Sequence, residues 1–313
     1  MAEQHQYIFH IGLPKSASST FQKQLFPFVP NINNFALYPT NNVAGSNTVE
    51  EAVNSVYLND KRLFEFYKSL HNRANVGVNE LASMWKILLN EHGKHNVTLL
   101  SHEAMTSAFF SSISVPVKLA RIKSIFANVK VCIVIRDQFD WLHSQYTDHP
   151  FDPLNLGKGK PYTFEQWMLQ FLTHPQLVAA RDALNYFRLV TLCYELFSPK
   201  NVSVVKLAWL KKSPQRFYKT WSELLNVEPE FIAARLHNKR DNRGLSGAYN
   251  RLRQRQRSHK LSGLQSPITN RLLAVDAIKL GPKAKYSLSA KTHLLLTNAY
   301  AEPNAQLNNL MGW

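Results

Sequence analysis

The chain is 313 residues long, carries a formal net charge of +16 and contains only two cysteines. With no Gly/Ser linker, repeat or low-complexity block to mark a boundary, residues 1–313 read as one α/β domain whose portion from about 235 to 313 is basic and helical. Cys132 in a predicted strand and Cys193 in a predicted helix argue against a disulfide framework; no apolar run reaches membrane-span length and residues 1–10 lack a secretory pattern, so a cytoplasmic protein is expected.

The first predicted element is a strand over 7–12. Tyr7 to Ile11 is β-branched and aromatic, as a strand covered on both faces should be. Gly12 and Pro14 end it. The hydroxylated run Ser16, Ser18, Ser19, Thr20 then opens a predicted helix over 18–27, whose first N–H groups and positive dipole end, worth about half a charge, suit an anion. Lys15 adds a full charge in the turn. The pattern G-x-x-x-x-G-K-[ST] is not met, because no second glycine precedes the lysine, which disfavours an ordinary ATP or GTP site.

Residues 31–47, rich in Asn, Thr and Pro, read as a long loop. A helix over 79–92 leads to a strand over 97–101, with His102 and Glu103 emerging at its end. A helix over 116–127 precedes a strand over 130–136, where Arg136 sits at the terminus. Asp137 and Asp140 are both candidate caps for a helix over 138–147, and Ser144 lies eight residues beyond Arg136, about two turns on. A strand-end arginine and a helix hydroxyl suit a grip on one phosphate from two sides. A second loop over 148–161, helices over 163–172 and 176–197, a strand over 202–206 and a helix over 213–225 follow. Strands alternating with helices predict a mostly parallel central sheet covered by helices on both faces, in three layers. Ligands of such sheets sit beyond the carboxyl ends of the strands, so Lys15, His102–Glu103 and Arg136 are expected at one crevice.

Charge concentrates near the end. Residues 235–260 hold nine Lys or Arg and one Asp, a net of +8. That suits an anionic partner, but Arg251, Arg253, Arg255 and Arg257 are spaced by two and fall on opposed helix faces, which argues against a groove for a nucleic-acid duplex. No metal-ligand spacing of His, Cys or carboxylates is present.

Leu13-Pro-Lys-Ser-Ala-Ser-Ser-Thr20 resembles the phosphosulfate-binding loop of sulfotransferases, usually Pro-Lys-Ser/Thr-Gly-Thr-Thr, and Arg136 with Ser144 resembles that family's 3′-phosphate site. Residues 201–207, 212–217 and 221–227 are similar to its late strand and following helix. Asn238 to Gly247 is similar to the segment that folds over the donor, and residues 299–307 to the tail of bacterial members. The resemblance implies a P-loop-like fold and 3′-phosphoadenosine 5′-phosphosulfate as donor, with no metal. It assigns Lys15, Ser16, Ala17, Ser18, Ser19 and Thr20 to the 5′ end, Arg136 and Ser144 to the 3′-phosphate, and Lys239, Arg240 and Arg243 to the donor cover. Lys15 would stabilise the leaving oxygen. His102, with Glu103 as rival, would take the acceptor's proton; Glu50 and Glu51 are remoter choices. The implied acceptor is a hydroxyl, of a carbohydrate or glycolipid in the first place and of a small alcohol or phenol in the second. Two departures stand out. Ala17 replaces glycine, which requires that its φ not be positive, and Ala208-Trp209 stands where an acidic residue is common. The competing readings are a nucleotide-dependent kinase with an atypical loop, and a non-catalytic basic protein binding nucleic acid or acidic glycan.

Overall fold

The structure, a computed structural model, describes residues 5–36, 60–107, 113–151, 153–154, 162–236 and 286–313. Its strands are β1 (Gln6–His10), β2 (Asn33–Ala36), β3 (Val97–Ser101), β4 (Asn128–Ile135) and β5 (Val202–Lys206). The helices begin with α1 (Ser18–Gln24), α2 (Lys61–Asn72), α3 (Val78–His92), α4 (Val115–Ile125), α5 (Gln138–Asp148) and α6 (Phe164–Thr173). They continue with α7 (Val178–Asp182), α8 (Tyr186–Phe197), α9 (Trp209–Lys212), α10 (Pro214–Leu225), α11 (Pro229–Leu236) and α12 (Ala290–Met311). The chain divides into two compact units, Met1–Arg136 with Tyr186–Asp241, and Asp137–Asn185 with Asn242–Trp313.

The first unit holds the sheet. All five strands pair in parallel, in the order β2-β3-β1-β4-β5. Alternation along β1 sends Tyr7 and Phe9 to one face and His10 to the other. On the first face Phe9 meets Phe126 at 5.0 Å between ring centroids, and Trp85 of α3 lies 5.4 Å from Phe66 of α2. On the second, His10 lies 5.6 Å from Phe21 of α1 and 5.7 Å from Trp221 of α10. Both faces are therefore closed by aromatic clusters carried on helices, the three-layer arrangement that the strand–helix alternation predicts. Each such pair adds about 0.5–1.5 kcal/mol to the burial of its rings.

Two expectations change. The stretch read as loop over 31–47 contains β2, because its asparagines serve as ties: Asn33 Oδ1 accepts from the backbone N–H of Lys94 at 2.6 Å and of His95 at 3.0 Å, while its Nδ2 donates to His95 O at 2.7 Å. The helix expected over 176–197 is broken between α7 and α8, where Leu184 and Asn185 close turns onto Arg181 and Asp182. Helix α2 was not foreseen. Asp60 starts it by accepting from Arg62 N at 2.8 Å, and Leu63, Phe66, Tyr67 and Leu70 form its buried stripe.

In the second unit α5 and α6 pack through Tyr146, Phe164 and Trp167, whose neighbour is Tyr286. Trp141 and Tyr146 are core residues there, and the Tyr146 hydroxyl donates to Tyr162 O at 2.9 Å. Glu165 of α6 accepts from Ser289 N at 3.0 Å and also from the Ser289 and Thr292 hydroxyls, fixing the start of α12. Both cysteines are buried and free. Among the described residues no helix is long and apolar enough to cross a membrane.

Candidate functional site

Parallel pairing in register sets the site. His10 is level with Ser101 of β3 and Cys132 of β4, so the segments that follow β1, β3 and β4 leave the sheet at the same edge. Those segments carry Lys15, then His102 and Glu103, then Arg136, all in the first unit.

The turn from β1 to α1 is strained. Lys15 has φ 69° and Ala17 φ 66°, both in the left-handed region. The sequence-based condition on Ala17 is thus not met: the position is one that glycine suits, and each of these side chains costs about 1–2 kcal/mol in that conformation. The surroundings impose it. Arg136 donates through Nη1 to Lys15 O at 2.8 Å, and its own carbonyl accepts from the Tyr186 hydroxyl at 2.7 Å. Ser16 N donates to Leu13 O at 3.1 Å, and Thr20 N and Phe21 N converge on Ala17 O. Thr106, which follows β3, adds a hydrogen bond from its hydroxyl to Gly12 O at 3.0 Å.

Within this turn the Ser16 and Ser18 hydroxyls are buried and have no hydrogen-bond partner. A buried polar atom left so costs about 1–3 kcal/mol. Phosphate and sulfate oxygens, which only accept, are the complement these hydroxyls lack. Helix α1 has only seven residues, so what this turn could offer an anion lies in its side chains rather than in a helix dipole. Ser19 is half-buried and Thr20 buried in the first turn of α1.

Glu103 faces this turn. Burial pushes its carboxyl up, and the nearby Lys15 charge and Ser18 hydroxyl pull it partway back. The Ser18 hydroxyl is close enough to temper the carboxyl, yet the two do not meet the geometry of an ordinary hydrogen bond. His102 turns the other way, packing against Tyr67 and His71 at 4.7 Å each. Its Nδ1 accepts from Ala104 N at 3.0 Å, capping the short turn 103–105. Burial, with the charges of His71 and Lys118 beside it, holds its pKa well below the usual imidazole range.

His10 has a supporting place. Its Nδ1 and the Ser101 hydroxyl are 2.7 Å apart, Gln22 of α1 donates to the same hydroxyl at 3.0 Å, and burial takes its pKa down to about 3. Sequence reading missed Thr106, Lys118 and Arg121. The only signal for the last two is a pair of cations next to the apolar positions Leu119 and Ile122 of α4, both of which are fully buried.

Of the other expected residues, Ser144 is half-buried on α5 and belongs to the second unit, whereas Arg136 closes a segment of the first. Lys239, Arg240 and Arg243, the quartet Arg251 to Arg257, and Glu50 and Glu51 lie outside the described residues. Trp209, at the place where an acidic residue is common, is covered by the Arg216 guanidinium 4.0 Å from its ring. Among the described residues Asp60, Glu91 and His92 stand within metal-binding distance of one another, but the cation between the carboxylates is the Arg62 guanidinium, 2.5 Å from each at closest.

No family model and no curated protein matches the sequence. Among solved structures, a sulfotransferase from Alicyclobacillus acidocaldarius is similar at 14% identity, over 87% of this chain and 100% of that one, with a TM-score of 0.46. The sulfotransferase domain from the curacin biosynthetic pathway is similar at 15% identity, over 95% and 98%, with a TM-score of 0.43. Mouse sulfotransferase SULT7A1, in complex with PAP, is similar at 13% identity, over 99% of this chain and 90% of that one, with a TM-score of 0.44.

Proposed function

We propose that this protein moves a sulfuryl group from 3′-phosphoadenosine 5′-phosphosulfate to an acceptor hydroxyl. One observation carries the reading: at a single turn, Lys15 and two buried, unpartnered hydroxyls, Ser16 and Ser18, meet a carboxyl raised by burial, Glu103. The chemistry needs those parts. The acceptor oxygen bonds to sulfur as the bond from sulfur to the 5′-phosphate oxygen breaks; the electron pair stays on that oxygen, and the acceptor's proton must leave. Lys15 stabilises the charge that builds on the departing phosphate, and the Ser16 and Ser18 hydroxyls donate to its oxygens. Glu103 takes the proton.

Glu103 is preferred to His102 on geometry. A neutral imidazole that accepts at Nδ1 carries its proton on Nε2, so the lone pair of His102 is already engaged by Ala104 N–H. A carboxyl raised by burial is the stronger base of its kind, which suits proton transfer near neutral pH.

The finer assignments rest on the motif resemblance. Arg136 and Ser144 are proposed for the 3′-phosphate, with Thr20 and Ser19 at the 5′ end and Lys239, Arg240 and Arg243 closing over the donor. A carbohydrate or glycolipid hydroxyl is proposed as acceptor, supported by the +16 charge and the likeness of residues 299–307 to bacterial enzymes. The cytoplasm is proposed as the compartment, in keeping with two buried cysteines that form no disulfide.

Calorimetric titration with 3′-phosphoadenosine 5′-phosphate, 5′-AMP and ATP tests the reading. Tighter binding of the bisphosphate, weakened by Arg136→Ala, is the expected result. Equal binding of all three, or none, would sink it, and tight ATP binding in its place would favour a kinase.

A further inference from the structure

Lys118 stands on α4, eleven residues beyond Ser107, with a side chain that is fully buried. A buried ammonium needs hydrogen-bond partners for its donors, or its desolvation is uncompensated. Lys118 Nζ donates to Ala104 O at 2.8 Å and to Ser107 O at 2.7 Å. These two carbonyls bracket the turn that follows β3. The same turn is tied to β1 by His102 N donating to His10 O at 3.2 Å and, through Thr106, to Gly12 O at the start of the anion-binding loop. Glu103 lies inside this frame. Its carboxyl takes its position from the backbone on either side, and Lys118 holds the part that the β1 contacts do not reach.

We infer that Lys118 is a positioning residue for sulfuryl transfer: its ammonium clamps the turn 104–107 and thereby sets the Glu103 carboxyl against Lys15 and Ser18. The inference rests on the sulfotransferase reading, because it assigns Glu103 a proton to take. Burial pulls the Lys118 pKa down to about 8, and His71 of α2 and His102 are the titratable groups that share its surroundings. The clamp is therefore mostly charged at neutral pH. A misplacement of a catalytic group by about 1 Å costs on the order of 100-fold in rate, which sets the size of the effect expected when the clamp is removed.

The test compares wild type with Lys118→Met and Lys118→Gln, the second keeping two N–H donors on a shorter stem. The readouts are hydrolysis of the donor to the bisphosphate and sulfate, affinity for the bisphosphate by calorimetry, and hydrogen exchange at the Ala104 and Met105 amides. Lys118→Met is expected to lose about 100-fold in turnover, to hold its bisphosphate affinity within about threefold, and to lose protection at both amides; Lys118→Gln is expected to fall between it and wild type. A folded Lys118→Met with turnover and amide protection within about threefold of wild type would overturn the inference. Should Lys118→Met not fold, the same outcome in Lys118→Gln decides against it. Failure of wild type to bind the bisphosphate would instead sink the sulfotransferase reading, while exchange at Ala104 and Met105 still decides whether Lys118 holds the turn.

Discussion

The turn after β1 and the junction between α2 and α4 are both built from buried polar groups, and they treat those groups in opposite ways. At the junction the buried cation is matched by acceptors: the Arg121 guanidinium donates to the carbonyls of Ser69, Leu70, Arg73, Ala74 and Val76, at 2.9 to 3.3 Å, and so closes the C-terminal end of α2. Nearby, the Tyr67 hydroxyl donates to Phe35 O at 2.6 Å and accepts from Ser101 N at 3.3 Å. In the turn after β1, two residues other than glycine sit at positive φ, and two buried hydroxyls have no partner. Strain and unmet hydrogen bonds are tolerated where a ligand can supply what is missing. The junction holds the fold, and the turn leaves donors open, as the proposed donor site requires.

Substitutions on the two sides should separate cleanly. The largest effect is expected for Lys15→Ala: a loss of about 10³-fold or more in turnover, with an unchanged far-ultraviolet circular dichroism spectrum. Near wild-type turnover would remove the turn from the chemistry and leave it merely strained. Next, Glu103→Gln is expected to lower turnover by about 10²- to 10⁴-fold, against less than about tenfold for His102→Ala, which instead loses a cap worth about 1 kcal/mol in urea denaturation. The pH profile sharpens the same comparison. A base acts when deprotonated, so turnover should fall as the pH drops through the raised Glu103 pKa and level off above it; a profile that ignores Glu103→Gln would reassign the proton.

On the framework side, Arg121→Met should destabilise the protein by about 3 kcal/mol, because it leaves several buried carbonyls without a donor. Bisphosphate affinity should change little, and a large loss of affinity in the folded variant would erase the distinction between the two regions. The smallest effect is expected for Ala17→Gly, which relieves the positive φ and should raise stability by about 1 kcal/mol or less, since glycine also gives back some chain entropy. A destabilised Ala17→Gly would mean that the turn is held in some other conformation.

Much of this was legible in the sequence. The strands expected over 97–101 and 202–206 coincide with β3 and β5, because a covered parallel strand is an apolar run between turn residues and needs no tertiary information to be seen. The turn after β1 was legible for the same reason: lysine, small hydroxylated residues and helix-breaking neighbours are local signals. Three things were not. β2 is four residues of a segment rich in asparagine, and its pairing with β3 follows from side-chain ties to residues 94 and 95 that no local pattern announces. That His102 and Glu103 leave the sheet edge in different directions is set by tertiary packing, and the two are adjacent in sequence. Lys118 and Arg121 read as surface cations until the carbonyls around them are known.

The two buried cations of α4, Lys118 and Arg121, are held by backbone carbonyls, dipoles fixed in the interior, rather than by mobile surface carboxylates. Dissolved ions screen exposed charges over about 8–10 Å of water but do not reach such pairs. The framework beneath Glu103 should thus be nearly indifferent to ionic strength, while binding of the proposed bisphosphate donor at the turn should weaken steeply as salt rises. Added salt would then empty the site without loosening the scaffold that builds it.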